Sequence, residues 1–178
     1  MGVSPAQAAT HIQLIGLVND VSLRGLIPGE LAQGFHYLQP KPRSALSPVF
    51  VTPDELADSW KDSKLHLPMR TWINGHWFGE AEAGIDMQFS FAELIAHVAK
   101  SRPLSAGTLV GSGTIANEDT SKGASCLAEQ RTVETLRDGK PATPFLKFGD
   151  RVKIDITDQA GRSVFGAIEQ VVKQYVPA

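Results

Sequence analysis

Residues 70–78 read Arg-Thr-Trp-Ile-Asn-Gly-His-Trp-Phe, two β-prone runs joined by an Asn-Gly pair. Asn-Gly readily adopts the two positive φ angles of a type I′ turn, so the stretch predicts an antiparallel hairpin. Further on, residues 151–157 alternate polar with branched apolar side chains, residues 158–162 have turn composition, and residues 163–172 are expected to return as the partner strand. These patterns predict an α+β fold that is predominantly β, with a β-rich C-terminal third.

Helix-start signals lie between the predicted strands. Ser4-Pro5-Ala6-Gln7 and Ser90-Phe91-Ala92-Glu93 have the form of capping boxes, and Thr52-Pro53-Asp54-Glu55 repeats the signal. The sequence therefore predicts a helix after Ser4, one that ends near Ser59, and one over about 91 to 100.

Four other segments carry weaker signals. The apolar run 12–18 predicts a buried strand, residues 108–113 a strand that enters a glycine-rich turn, and residues 126–136 an extended segment. The thirty residues after Arg24 are rich in proline and glycine, which favours a long ordered loop.

Composition excludes several classes of function. The 178 residues predict one domain over 1–178, and a net charge of −2 without a basic run argues against a nucleic-acid partner. The chain has no apolar run of the roughly 18 residues that span a bilayer and no signal-peptide pattern, so we expect a cytoplasmic protein with no membrane partner. Cys126 is the only cysteine, which excludes an intrachain disulfide, and we expect it to be a small buried residue.

Three places carry residue types that could bind an acid or a cation. Asp20 follows an apolar run, where a rigid element can present a carboxylate, or it caps the next turn through its own backbone. Lys41 lies between two prolines and either holds an ammonium near an anion or is an ordinary surface lysine. The turn 111–114, Gly-Ser-Gly-Thr, offers accessible amides and the Thr114 hydroxyl, or is a plain glycine-rich turn.

The remaining titratable residues give no clear metal pattern. The five histidines lack the spacing of metal ligands. Glu80-Ala81-Glu82 places two carboxylates on one side of a strand, which suits Mg²⁺ or Ca²⁺ but is also typical of a solvated edge. Glu129 and Glu134 are five apart and would face opposite sides of an extended segment.

Several motifs, taken in order, resemble the fumarylacetoacetate hydrolase family. They are Asn19-Asp20-Val21-Ser22-Leu23-Arg24, Lys41-Pro42, Ser47-Pro48, the turn 111–115, and the closing stretches 144–150 and 161–166. The resemblance runs from about residue 12 to residue 172. It implies a mixed β-roll of the fumarylacetoacetase C-terminal-like type, and metal-dependent enzymes, usually homodimers, that cleave carbon-carbon bonds of β-diketo acids in aromatic catabolism. Relatives in the family decarboxylate, isomerise or hydrate related keto acids.

The resemblance also implies residue roles. Asp20 would be a metal ligand, Lys41 and Ser44 would assist the metal site, and Lys41 and Thr114 would contact a keto-acid substrate. The metal expected is Mg²⁺, with Mn²⁺ or Ca²⁺ as alternatives. Glu134, or else Glu129, would be the catalytic glutamate that orients a histidine.

The chain departs from the family pattern before Asn19. The family's other metal ligands and its histidine lie upstream of the Asn-Asp motif, whereas the residues before Asn19 include no Asp or Glu. Glu80-Ala81-Glu82 copies a family Glu-x-Glu pair but follows Asp20, so we do not assign it that role. Positions that contact fumarylacetoacetate in the family are here Ile27 and Leu31, which disfavours that substrate.

We therefore expect an N-terminally truncated, C-terminal portion of the family domain with its upstream half missing. Asp20 alone should bind a hard divalent cation weakly, because such ions prefer about six oxygen ligands. The expected partners are a second copy of the chain or the missing N-terminal half. The alternative is a catalytically incompetent fragment, or a binding or dimerisation module of the same fold.

Overall fold

A computed structural model describes residues 1–34 and 36–177 of the chain. Its α-helices are α1 (Pro5–Ala9), α2 (Ile27–Ala32), α3 (Phe91–Val98) and α4 (Leu127–Asp138). Its strands are β1 (Val18–Asn19), β2 (Ala45–Leu46), β3 (Trp60–Lys61), β4 (Lys64–Leu65), β5 (Pro68–Ile73), β6 (His76–Glu82), β7 (Arg151–Ile156) and β8 (Ile168–Val171). Two 3₁₀ helices span Pro53–Ser59 and Thr120–Lys122.

The centre of the fold is a four-stranded antiparallel sheet in the order β6-β5-β7-β8. The hairpin β5–β6 turns at Asn74 and Gly75, whose φ angles of 53° and 80° are those of a type I′ turn, so this prediction is confirmed. β7 pairs with β5, and β8 pairs with β7. The sheet therefore joins the middle of the chain to its C-terminal part.

One face of this sheet carries the main apolar core. Met69, Ile154, Ile156 and Ile168 pack there against Phe165, which is fully buried. Ile15 and Leu17, from the segment just before β1, belong to the same cluster. Because these two residues are buried in the core, the chain that leads into Asp20 is fixed to the sheet.

A second, smaller core joins the N-terminus to α3. Ala8 of α1 packs against Ala92 and Ala96 of α3. Both helices begin with the predicted capping boxes, at Ser4 and Ser90. The helix signals at residues 4–7, 52–55 and 90–93 are thus confirmed, the middle one as a 3₁₀ helix.

Three of the weaker predictions are wrong. The run 12–18 forms only an isolated bridge between Ile15 and Val51 and the start of β1, and it is not fully buried, because Leu14 and Val18 are exposed. Residues 108–113 form no strand, since positive φ angles at Gly107 and Gly113 bend the segment at both ends. The proline-rich stretch after Arg24 contains α2.

The prediction for residues 126–136 is also wrong, because the segment is the helix α4. The Cys126 sulfur accepts the amide of Glu129 as the helix N-cap, so Cys126 is a half-buried cap rather than a core residue. Gly139, with φ 78°, ends the helix in the left-handed conformation. With α2 and α4 present, the fold mixes helices with small antiparallel sheets and is not predominantly β, and β8 covers only the end of the predicted strand 163–172.

No helix in the described part of the chain has the length and apolar character needed to cross a membrane.

Candidate functional site

Asp20, Ser22, Lys41 and Ser44 form one hydrogen-bonded cluster, called here the Asp20 cluster. The Lys41 ammonium donates to Asp20 Oδ2 at 2.7 Å and to Ser22 Oγ at 2.8 Å. Ser44 Oγ lies 3.5 Å from Asp20 Oδ1, a long hydrogen bond. The sequence-predicted trio Asp20, Lys41 and Ser44 is therefore brought together, and Ser22 joins it.

The strands β1 and β2 hold this cluster in place. Asn19 of β1 pairs with Ala45 of β2. Asp20 comes directly after Asn19, and Ser44 comes directly before Ala45, so this pairing places Asp20 and Ser44 side by side. Asn19 Nδ2 also donates to Gln170 Oε1 at 2.8 Å, which ties the end of β1 to the central sheet. The cluster consequently sits on an anchored backbone although the Asp20 side chain is 61% exposed.

The described residues do not by themselves fit a hard divalent cation. Both carboxylate oxygens of Asp20 already face donors of Lys41 and Ser44, and the cluster holds no second carboxylate. Across residues 1–34 and 36–177, no three Asp, Glu, His or Cys side chains lie together in an arrangement that could hold a metal ion. Mg²⁺ and Ca²⁺ prefer several carboxylate or carbonyl oxygens in one site.

The free hydrogen-bond donor of the Asp20 cluster is on Lys41. An ammonium has three N–H donors, and two of them go to Asp20 and Ser22. The Lys41 side chain is 31% exposed, so the remaining donor can reach an incoming oxygen. The arrangement can therefore bind a carboxylate or enolate oxygen through a charge-assisted hydrogen bond.

Thr114 lines a cavity of about 240 Å³ between two segments that lack regular structure, with Leu94 of α3 also in its lining. One wall is the turn after β6, with Asp86, Met87 and Phe89, and the other is the segment 112–116. Thr114 is exposed and makes no hydrogen bond to Asp20, Lys41 or Ser44. Its role as a substrate contact stays a prediction.

Asn117 clamps the two walls of this cavity together. Its Oδ1 accepts the Glu82 amide at 2.7 Å, while its Nδ2 donates to the Glu82 carbonyl at 3.1 Å and to Asp86 Oδ2 at 3.0 Å. Asp86 Oδ2 also accepts the Glu118 amide at 3.0 Å. The glycine-rich turn that carries Thr114 is therefore held at a fixed place beside the end of β6.

Glu134 is buried on α4 and serves as an anchor for the loop that follows the helix. Its carboxylate accepts the Thr143 hydroxyl at 2.5 Å, the Ala142 and Thr143 amides at 2.7 and 2.8 Å, and the Gln130 amide group at 3.0 Å. These hydrogen bonds, led by the one from the Thr143 side chain, lower the pKa of Glu134 to about 2. Its predicted catalytic role stays a prediction, although its carboxylate is occupied by these bonds.

Glu129, the alternative to Glu134, lies in the first turn of α4. It accepts the Ser125 amide at 3.2 Å, and burial raises its pKa. Five positions apart on a helix, Glu129 and Glu134 point in different directions, so they do not act on one ligand together.

Glu80 and Glu82 lie on one face of β6, as their spacing predicts. Glu80 accepts a hydrogen bond from Arg70 at 3.1 Å, and this bond lowers its pKa. Burial raises the pKa of Glu82. Glu80 accepts from Arg70, whereas Glu82 accepts from the Gly84 amide. Because the two carboxylates bind different neighbours, they do not form a cation site.

Sequence reasoning missed Ser22 and the clamp of Asn117 and Asp86. Ser22 lies within the Asn-Asp motif, two residues after Asp20, so its proximity to that carboxylate could have been weighed. Nothing in the local sequence around Asn117 indicates that its amide binds a strand 35 residues earlier.

Comparison with known proteins gives one family and two similar structures. Residues 1–173 match the family model described as fumarylacetoacetate (FAA) hydrolase C-terminal. A protein from Burkholderia cenocepacia assigned as a fumarylpyruvate hydrolase is 20% identical with a TM-score of 0.65, and the match covers 97% of this chain and 60% of that one. The 5-carboxymethyl-2-hydroxymuconate delta-isomerase from Mycobacterium smegmatis is 17% identical with a TM-score of 0.57, and the match covers 99% of this chain and 54% of that one.

The chain thus spans 60% and 54% of the lengths of these two proteins. At identities of 20% and 17% the likeness shows the fold alone. Among curated protein sequences, none matches the chain significantly.

Proposed function

Because the chain belongs to the fumarylacetoacetate hydrolase family, we propose that it is the keto-acid-binding part of a hydrolase that cleaves the carbon-carbon bond of β-diketo acids such as acylpyruvates. The observation that carries this proposal is the Asp20 cluster, in which a lysine with a free N–H is held by a carboxylate and a hydroxyl. One of the similar structures is assigned as a hydrolase of such an acid, which supports the choice of reaction.

The cluster suits the charge that develops in this reaction. When water adds to the acyl carbonyl of an acylpyruvate, the carbon-carbon bond breaks to give a carboxylic acid and the enolate of pyruvate, which then takes up a proton. Lys41 would bind the keto-acid or enolate oxygen, while Asp20 and Ser22 keep its ammonium in place. A fixed cation beside a developing oxyanion stabilises the transition state more than it stabilises the neutral ketone.

The metal dependence expected from the resemblance has no complete ligand set in the described residues. We therefore assign no step to a metal. The same observation favours the second candidate, a binding module of this fold that does not catalyse on its own. The isomerase likeness adds a third reaction to test, since an enolate also arises when a keto acid isomerises.

The proposal is tested by titrating the chain with acetopyruvate and by following turnover with Mg²⁺ or Mn²⁺ present. Lys41→Met keeps most of the length of the side chain and removes its charge, and Lys140→Met removes a charge from an exposed lysine outside the cluster. We expect binding that is lost in Lys41→Met and kept in Lys140→Met, with turnover no faster than metal ion in buffer. Absence of binding contradicts the proposed function. Metal-dependent turnover that Asp20→Ala abolishes would show that the chain is a complete enzyme.

A further inference from the structure

We infer that a cavity on the central sheet, called here the Trp72 cavity, is a binding site for a small aromatic carboxylate. The cavity is lined by Trp72, Gly75, Arg151, Val152, Lys153 and Glu169. None of these residues belongs to the Asp20 cluster, so the site is independent of the proposed function. The inference rests on where the strands place one ring and two cations, and on the fact that both cations lack an acidic partner.

The Trp72 cavity lies on the face of the sheet that turns away from the main core. Side chains alternate between the two faces along a strand. Because Ile154 of β7 is buried in the main core, Arg151 and Lys153 project from the opposite face. Met69 of β5 is buried in the same core, which places Trp72 on that opposite face as well. The cavity has a volume of about 390 Å³, within the range of roughly 300 to 1,000 Å³ that is common for small-molecule sites.

This face of the sheet is separate from the Asp20 cluster. Gln170 of β8 accepts the hydrogen bond from Asn19 that ties β1 to the sheet. Glu169, the preceding residue, points to the other face and lines the Trp72 cavity. A ligand in the Trp72 cavity would therefore leave the Asp20 cluster unoccupied.

The strand register brings a ring, a cation and a carboxylate into one row. Trp72 of β5 lies directly opposite Lys153 of β7, and Lys153 lies directly opposite Glu169 of β8. The Lys153 ammonium is 5.2 Å from the centroid of the Trp72 ring, which is a cation–π contact. Lys153 thus leans toward the indole, and it makes no ion pair with Glu169 in the part of the chain that the structure describes.

Arg151 supplies the second cation. It precedes Lys153 by two residues on the same face, so the two Cα atoms are about 7 Å apart. Both side chains are exposed, and neither makes a hydrogen bond or an ion pair within residues 1–34 and 36–177. A carboxylate between them can accept one charge-assisted hydrogen bond from each.

The charge of the lining suits one carboxylate. Arg151 and Lys153 carry two positive charges and Glu169 carries one negative charge, which leaves a net charge of +1. Other carboxylates close by in the sequence or across the strands accept from donors of their own: Glu80 from Arg70, Asp150 from Asn74 and the Lys147 amide, and Asp155 from Ser163. None of these three therefore neutralises Arg151 or Lys153.

Trp72 makes the site selective for a ring. Its indole is half-buried and lines the cavity beside Lys153. A ligand ring in offset or edge-to-face contact with an indole gains affinity beyond the burial of its apolar area. An aromatic acid can satisfy the ring and the two cations at once, whereas acetate reaches only the cations.

The test is a two-dimensional NMR titration of the full chain with benzoate, benzamide and acetate. The signals followed are the indole N–H of Trp72, assigned by its absence in Trp72→Phe, and the amide of Gly75. We expect benzoate to shift both signals and to bind about fivefold more tightly than acetate, the gain from one aromatic pair. Benzamide has the same ring without the charge, and it should bind about tenfold more weakly than benzoate.

Exposed charge variants test the residues assigned to the carboxylate. Arg151→Met and Lys153→Met should each weaken benzoate binding about tenfold, the loss of one charge-assisted hydrogen bond. Glu169→Gln should tighten it about threefold, because it removes a like charge at roughly 7 Å in water. Lys61→Met removes an exposed charge on β3 and should leave benzoate binding unchanged.

The comparison of the three ligands uses the wild-type chain, so it does not depend on how the variants fold. If benzoate leaves the Trp72 and Gly75 signals in place, there is no site in this cavity. Acetate or benzamide binding as tightly as benzoate would refute the ligand class, and weaker binding to Glu169→Gln would refute the assignment of the carboxylate to the two cations. None of these results bears on acetopyruvate binding at Lys41.

Discussion

Ser47 is the residue whose loss should best reveal how the Asp20 cluster is supported. It is 4% exposed, its Oγ accepts the buried Leu17 amide at 2.9 Å, and it donates to the Val49 carbonyl at 3.0 Å. Ser47→Ala leaves the Leu17 amide without a partner in a buried position, and an unpaired buried donor costs about 1 to 3 kcal/mol. We expect a loss of about 2 kcal/mol in the free energy of unfolding, or roughly 4 to 8 °C in Tm for a domain of this size.

Urea and thermal unfolding of the wild type and Ser47→Ala measure this directly. Ser101→Ala, which removes an exposed hydroxyl, is the matched control and should change stability by less than about 0.5 kcal/mol. Because Leu17 leads into β1, the loss should also weaken acetopyruvate binding at Lys41. A Ser47→Ala protein as stable as the control would refute the role of this hydroxyl in holding β1.

Three further predictions concern pH, packing and association. The pKa of Glu134 is about 2 in the folded protein, against an ordinary value of 4.5. The hydrogen bonds of its carboxylate to Thr143 therefore contribute stability that is present above about pH 4.5 and is lost as the pH falls toward 2. Glu134→Gln should flatten that part of the curve of stability against pH. Gly79→Ala would press a Cβ into the backbone of Ala124 and should cost at least about 2 kcal/mol, whereas Gly111→Ala meets open space and should be tolerated in chemical denaturation. The chain has a solvent-accessible area of 11824 Å², about 3,400 Å² more than the roughly 8,400 Å² of a compact monomer of its mass. Analytical ultracentrifugation should therefore show self-association. A monomer at all protein concentrations would contradict this prediction.

The hairpin and the capped helices could be predicted because their signals are local. Asn74-Gly75 and the capping boxes at Ser4 and Ser90 each specify a backbone conformation within four residues. Helix α4 lies where the sequence analysis predicts an extended segment, although the segment is rich in strong helix formers and Gly139 follows its last residue.

In the candidate site, too, residues marked by local motifs could be predicted, whereas residues joined by long-range contacts could not. Asp20, Lys41 and Ser44 could be named from the family motifs, and their contacts follow from the pairing of β1 with β2. Asn117 and Asp86 could not be named, because their hydrogen bonds join segments about 30 residues apart that have no pattern of their own. Long-range contacts of single side chains leave no periodic trace in a sequence.

A crystal structure of the chain soaked with acetopyruvate tests the central claim most directly. The account predicts that a ligand carboxylate or keto oxygen lies within about 3.2 Å of Lys41 Nζ, the reach of a hydrogen bond, with Asp20 still paired to the same ammonium. Acetopyruvate bound elsewhere, with Lys41 and Asp20 making no contact to it, would contradict the assignment of the Asp20 cluster as the keto-acid site.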